Sequence, residues 1–185
     1  MNRKEFIKRT CFTGACACGF SAITMAAAGI QAETSEESGE NSEQLLIQTW
    51  IADLLSNIDD NLEDNQMRSI LKACSSVHFE NLQMDNVLAP YKNNLEGFIK
   101  FLTENWGWKV NYDRSTKTLI ADENKNYCVC PMINKESDRN QSALCYCSEG
   151  FAEKMFSVVC GYSVSATVIS SIQRGDERCI YKVNL

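Results

Sequence analysis

The chain has 185 residues, 24 acids against 18 bases, a formal net charge of −6 and ten cysteines. A net acidic chain of this size lacks the basic face that a nucleic-acid partner or an anionic membrane surface demands. The length suits a single domain once an N-terminal signal is set aside.

The first 32 residues read as an export signal. Arg3, Lys4, Lys8 and Arg9 form a basic start, Cys11 to Ile30 is apolar and rich in small residues, and Ile30-Gln31-Ala32 is a cleavage site before Glu33. Asn2 to Lys8 resembles a twin-arginine translocation signal, with Lys4 where the second arginine belongs. An ordinary secretory signal and a lipoprotein signal cleaved before Cys16 or Cys18 are the alternatives. Gly14, Gly19, Thr13 and Thr24 dilute the run too much for a membrane anchor. The expected location is therefore periplasmic or extracellular. Removal of the signal leaves 23 of the 24 acids and 14 of the 18 bases, a net −9.

Residues 33–43 are acidic and lack large apolar side chains, which predicts a disordered spacer. A single domain is expected over residues 44–185. Ser42 is a candidate cap for a helix to about Asn57, with Leu46, Trp50, Leu54 and Ile58 on one face and Leu45, Ile51 and Leu55 beside them. A second helix is predicted from about Glu63 to Ser75, with Met67, Ile70, Leu71 and Cys74 inward. Leu95, Phe98, Ile99, Leu102 and Trp106 predict a third over Asn94–Asn105, closed by Gly107. The period then falls to two. Trp108 to Tyr112, Thr118 to Ala121 and Tyr127 to Cys130 read as a three-stranded meander. Pro131 to Ala143 is loop. Glu149 to Cys160 is a helix capped by Ser148 and closed by Gly161, and Tyr162 to Leu185 is a hairpin turning at Arg174-Gly175-Asp176-Glu177 with Cys179, Tyr181 and Val183 on one face. The sum is an α+β domain in which an antiparallel sheet packs with helices.

Seven cysteines follow the signal: Cys74, Cys128, Cys130, Cys145, Cys147, Cys160 and Cys179. Alternation along a strand would turn Cys128 and Cys130 to one face. A helix starting at Ser148 would favour the thiolate at Cys145 and Cys147. Two Cys-x-Cys pairs joined by a loop predict a soft four-sulfur site of Cys128, Cys130, Cys145 and Cys147, fit for zinc or an iron–sulfur cluster. Cys74, four residues before His78, and Cys179 are further candidate ligands. Three functions compete. One is a binding module for a small, aromatic-sized molecule beside a cysteine-built metal site. Another is a hydrolase with Cys145 or Cys147 as nucleophile and His78 or Glu149 as base. The third is a structural or interaction domain braced by disulfides.

The segments Leu144-Cys145-Tyr146-Cys147-Ser148-Glu149-Gly150-Phe151, Gly161-Tyr162-Ser163-Val164 and Arg174 to Val183 resemble the 4-vinyl-reductase-like domain, a small-molecule-binding fold that also serves as a phenol-sensing input domain. Val164, Gly175, Asp176 and Cys179 match its pattern, and Ser163 replaces a proline. Cys128 to Pro131 followed by Cys145 to Gly150 is similar to Cys-rich bacterial proteins of unassigned function, and more distantly to L-2-amino-thiazoline-4-carboxylate hydrolases. The likeness covers roughly Met67 to Leu185. It implies a ligand-binding fold, with a hydrolase of small cyclic amide-like substrates as the second reading. In the phenol-sensing members a Glu and two Cys of the hairpin and an upstream Cys hold zinc. Val168 and Ser171 occupy two of those positions here, so any metal would use the Cys-x-Cys pairs with Cys179 or Cys74.

Overall fold

The computed structural model describes residues 36–185, with side chains from Ser42 onward. The export signal and the first residues of the acidic stretch lie outside the described residues. The architecture is α+β. Among the described residues five helices, α1 (Glu36–Asn61), α2 (Asp64–Asn81), α3 (Met84–Leu88), α4 (Leu95–Asn105) and α5 (Cys145–Cys160), accompany strands β1 (Lys109–Asp113), β2 (Thr118–Asp122), β3 (Ser165–Ser170) and β4 (Ile180–Asn184). The strands form one antiparallel sheet in the order β1-β2-β4-β3. Among the described residues no helix is long and apolar enough to cross a membrane.

Local chemistry explains most of these boundaries. Asn94 caps α4 by accepting from the Gly97 N–H at 3.0 Å. The Gln66 side chain accepts from the Glu63 N–H at 3.3 Å at the start of α2. Gly161, at φ +77°, ends α5 in the left-handed conformation that glycine adopts without cost.

The main core lies between the sheet and helices α4 and α5. Leu119, Ala121, Tyr181, Val183, Ala166 and Val168 fill one face of the sheet and meet Phe98, Leu102, Met155, Phe156 and Val159. Register explains the layer: Leu119 pairs with Val183 and Val183 with Ala166, while Ala121 pairs with Tyr181 and Tyr181 with Val168. The predicted run Cys179, Tyr181, Val183 is buried. A second core joins Leu55 of α1 and Met67 and Leu71 of α2 to Ile133, Ala143 and Leu144.

Four expectations shift. First, α1 begins at Glu36, inside the stretch expected to be a spacer. Its inward residues are Ala52 and Leu55, while Leu46 and Trp50 are 70% and 63% exposed. The apolar residues spread too widely around this helix for one face to hold them all. Second, α2 continues to Asn81 and is followed by α3, which periodicity alone did not separate from loop. Third, Tyr127–Cys130 forms no strand; β2 pairs instead with β4 on its free side. Fourth, α5 starts at Cys145, not after Ser148, because a 3-10 turn over Ser142–Leu144 runs straight into it.

Candidate functional site

The loop between β2 and α5 is tied down by polar side chains. Buried Gln141 accepts from the Asn134 N–H at 3.0 Å and donates to the Asn134 carbonyl at 2.8 Å, closing residues 134–141 as a strand partner would. Asn134 Nδ2 donates to Thr49 Oγ1 at 3.1 Å, and Gln48 Nε2 donates to the Pro131 carbonyl at 2.7 Å. Residues 128–133 are thereby held as one wall of a cavity of about 620 Å³. The other walls are the first turns of α5, Val168 of β3, Tyr181 of β4, Asn105, Trp106 and Trp108 ahead of β1, and the end of α2.

Five of the seven cysteines line this space: Cys128, Cys130, Cys145, Cys147 and Cys179. The four cysteines of the two Cys-x-Cys motifs therefore do meet at one cavity, across the loop that separates them. Cys74 is exposed and stands outside the lining, and Cys160 lies at the far end of α5. All seven are free thiols. Cys145 donates its thiol hydrogen to Ser171 Oγ at 3.2 Å, and the Ser171 N–H donates to Asp176 Oδ2 at 2.7 Å.

The electrostatics run opposite to the thiolate expectation. Burial pushes the Cys147 thiol up to about 11, with a smaller push from Cys74. Burial likewise takes Cys130 to about 11, helped by Cys128, Cys147 and Cys145. It takes Cys179 to about 11 and raises Cys145, although the Ser171 hydrogen bond and the Arg174 charge partly oppose the rise at Cys145. Desolvation at these sites outweighs the helix terminus. Cys130, Cys145, Cys147 and Cys179 therefore hold their protons at neutral pH. Among the described residues, no three His, Cys, Asp or Glu side chains are arranged to hold a metal ion. The cysteines share a cavity without forming a ready ligand set for zinc or a cluster.

The two candidate bases part company. His78 lines the cavity, packs its ring 5.0 Å from that of Phe151 and is pushed toward the neutral form by burial. Among the described residues no hydrogen bond joins it to a thiol. Glu149 is 1% exposed and fully engaged: Arg68 donates to it through Nε at 2.7 Å and Nη2 at 3.1 Å, and the Val168 N–H donates at 2.9 Å. This carboxylate locks α2, α5 and β3 together and is absent from the cavity wall.

Sequence reasoning passed over Glu123 and Tyr181. Glu123 extends β2 by one residue, its N–H donating to the Cys179 carbonyl at 3.0 Å. Asn124 then turns at φ +57°, donating its N–H to Asp122 Oδ1 at 2.7 Å and its side-chain amide to the Gly107 carbonyl at 3.2 Å. The buried Tyr181 hydroxyl donates to Glu123 Oε1 at 2.6 Å. Both residues line the cavity beside Trp106 and Trp108. The only sequence signal for Glu123 was its place opposite Cys179, which needs the sheet order to be seen.

Residues 20–185 match the model of a family described as "Family of unknown function (DUF6144)". The chain belongs to DUF6144. No curated protein matches it. Among solved structures, this DUF6144 chain is similar to a trafficking protein particle complex subunit 3 from Naegleria fowleri, crystallised covalently bound to palmitic acid. The identity is 10% and the TM-score 0.47, over 78% of this chain and 96% of that one.

Proposed function

We propose that the domain is a small-molecule-binding module whose ligand occupies the thiol-lined cavity. The observation that carries this reading is the cavity itself: about 620 Å³, walled mainly by aromatic, aliphatic and thiol side chains, with a few polar groups at fixed positions. That size and lining are typical of sites for small organic ligands. The resemblance to the 4-vinyl-reductase-like domain points the same way. With Cys145 and Cys147 held protonated by burial, no hydrogen bond from His78 to a thiol among the described residues and Glu149 committed to Arg68, binding has more support than hydrolysis.

A resident zinc or iron–sulfur centre is the narrower form of this proposal. It asks residues 128–130 to close on Cys145 and Cys147 until the sulfurs reach about 2.3 Å from a common ion. Elemental analysis of anaerobically purified protein tests it directly, and metal-free protein that keeps its melting temperature would end it.

The binding reading is tested with a naphthalene-based fluorescent probe titrated into wild type and Ala152→Phe. Ala152 lies in the wall, and the larger ring fills the space. Saturable binding by wild type, lost in the variant with its circular dichroism unchanged, is the expected result. Probe binding equal in both proteins would remove the cavity from the account.

A further inference from the structure

Two buried glutamates in this domain are treated in opposite ways. Glu149 has Arg68. Glu123, only 8% exposed, accepts one hydrogen bond from Tyr181 and forms no salt bridge among the described residues. Burial raises its affinity for a proton. The Tyr181 hydrogen bond and the charge of Lys125 oppose that rise, while Asp122 adds to it. Lys125 stands in the same wall but makes no ion pair with Glu123. A carboxylate withdrawn from water without a cation is costly unless something supplies the charge.

The neighbours of Glu123 on this wall are aromatic. Trp106, Trp108 and Tyr181 line the same cavity. The Trp106 and Trp108 rings lie 5.5 Å apart at 59°, and Trp108 stacks on Tyr181 at 6.0 Å and 15°. Three electron-rich rings that pack on one another, on the same cavity wall as a buried carboxylate, offer a cation an aromatic surface beside a countercharge. Such rings attract ammonium groups through their negative faces. The remaining walls, with Phe151, Val168 and Cys145, are apolar and suit an uncharged body.

We propose that Trp106, Trp108, Tyr181 and Glu123 form a subsite for the ammonium group of an organic cation whose apolar body extends among the cavity thiols. This rests on the cavity being a binding site and names the chemistry it selects. Glu123 would supply the countercharge, Tyr181 would orient that carboxylate, and the two tryptophans would border the cation with electron-rich surface. An aliphatic or aromatic amine fits, whereas an anion would face Glu123 across a poorly screened distance.

The test is a calorimetric comparison of three probes of one shape: phenethylammonium, 2-phenylethanol and 3-phenylpropionate. Wild-type protein is expected to bind the ammonium probe at least 10-fold more tightly than the alcohol, and the carboxylate most weakly. Glu123→Gln keeps an oxygen for Tyr181 to donate to. It should erase the preference for the ammonium while leaving alcohol affinity within about twofold. Trp106→Leu should weaken the ammonium more than the alcohol. Equal wild-type affinity for ammonium and alcohol would overturn the cation subsite while leaving the cavity as a binding site. An ammonium preference that survives Glu123→Gln would also overturn it. Failure of all three probes to bind would overturn both readings together.

Discussion

Gly150 of α5 backs onto the Lys72 carbonyl of α2: a Cβ built on Gly150 would stand 2.4 Å from that oxygen and 2.7 Å from Ser75 Oγ. Neither atom can retreat, since one is backbone and the other is buried and donates to the same carbonyl at 2.6 Å. The two helices can approach this closely only because residue 150 has no side chain. Gly150→Ala should therefore destabilise the domain by about 1–3 kcal/mol or more through forced separation of α2 and α5. Chemical denaturation measures it. A variant as stable as wild type would mean that the helices can part without loss.

Removing Arg68 strands Glu149 with no cation at 1% exposure. Breaking a buried pair from one side costs about 3–5 kcal/mol. Arg68→Ala should fall at the lower end of that range, because Arg68 is 35% exposed and water can partly replace it. Glu149→Gln, which keeps an acceptor for the Val168 N–H, should cost less. The reverse order in urea unfolding would contradict the assignment of Glu149 as the buried member.

The thiols make stability fall with alkaline pH. Cys130, Cys147 and Cys179 hold their protons to about 11 when folded, against about 8.5 in an unfolded chain. The folded state therefore binds more protons between these values. Its stability is full below pH 8.5 and is lost progressively as pH rises toward 11. Alkylation with iodoacetamide should follow the same ordering, with exposed Cys74 labelled first at pH 8 and Cys147 and Cys179 rising steeply only toward pH 11. Seven thiols from residue 33 onward should react after anaerobic denaturation. Fast labelling of Cys147 at pH 7 would show a thiolate that burial should have suppressed.

Gln141 tests whether the cavity wall is a held structure. Gln141→Leu removes both hydrogen bonds to the Asn134 backbone and leaves a buried N–H and C=O without partners. The expected cost is about 1–3 kcal/mol for each stranded group. The local sign is faster amide exchange over residues 130–141 and faster Cys130 alkylation, with α4 and α5 unchanged. Unaltered exchange in that loop would mean that α1 holds it without Gln141.

The elements with an unambiguous period were legible in the sequence. The bounds of α4 follow from Asn94 and from the spacing of Leu95, Phe98 and Leu102. The hairpin of β3 and β4 follows from β-branched alternation around Gly175. Both Cys-x-Cys motifs line one cavity, although spacing alone did not fix how they face it. What escaped has physical causes. Tyr127–Cys130 alternates like a strand, but β4 takes the edge of β2 that a third meander strand would have used. Ser148 is a good cap by residue type, yet the turn at Ser142–Leu144 starts the helix four residues earlier and places Cys145 and Cys147 in dry surroundings. Glu123 fell between the expected strands because nothing local shows that Tyr181, 58 residues later, returns to meet it.

The strand order β1-β2-β4-β3 has a temporal side. β4 is made after both strands that it joins, so an emerging chain holds the β1–β2 hairpin and β3 as separate pieces until Ile180–Asn184 has been synthesised. Tyr181 arrives with that same strand, and with it the hydroxyl that Glu123 accepts from. Pairings between such distant segments form late and slowly. The cavity wall and the sheet are thus completed by one event, and a nascent chain arrested before residue 180 would have neither.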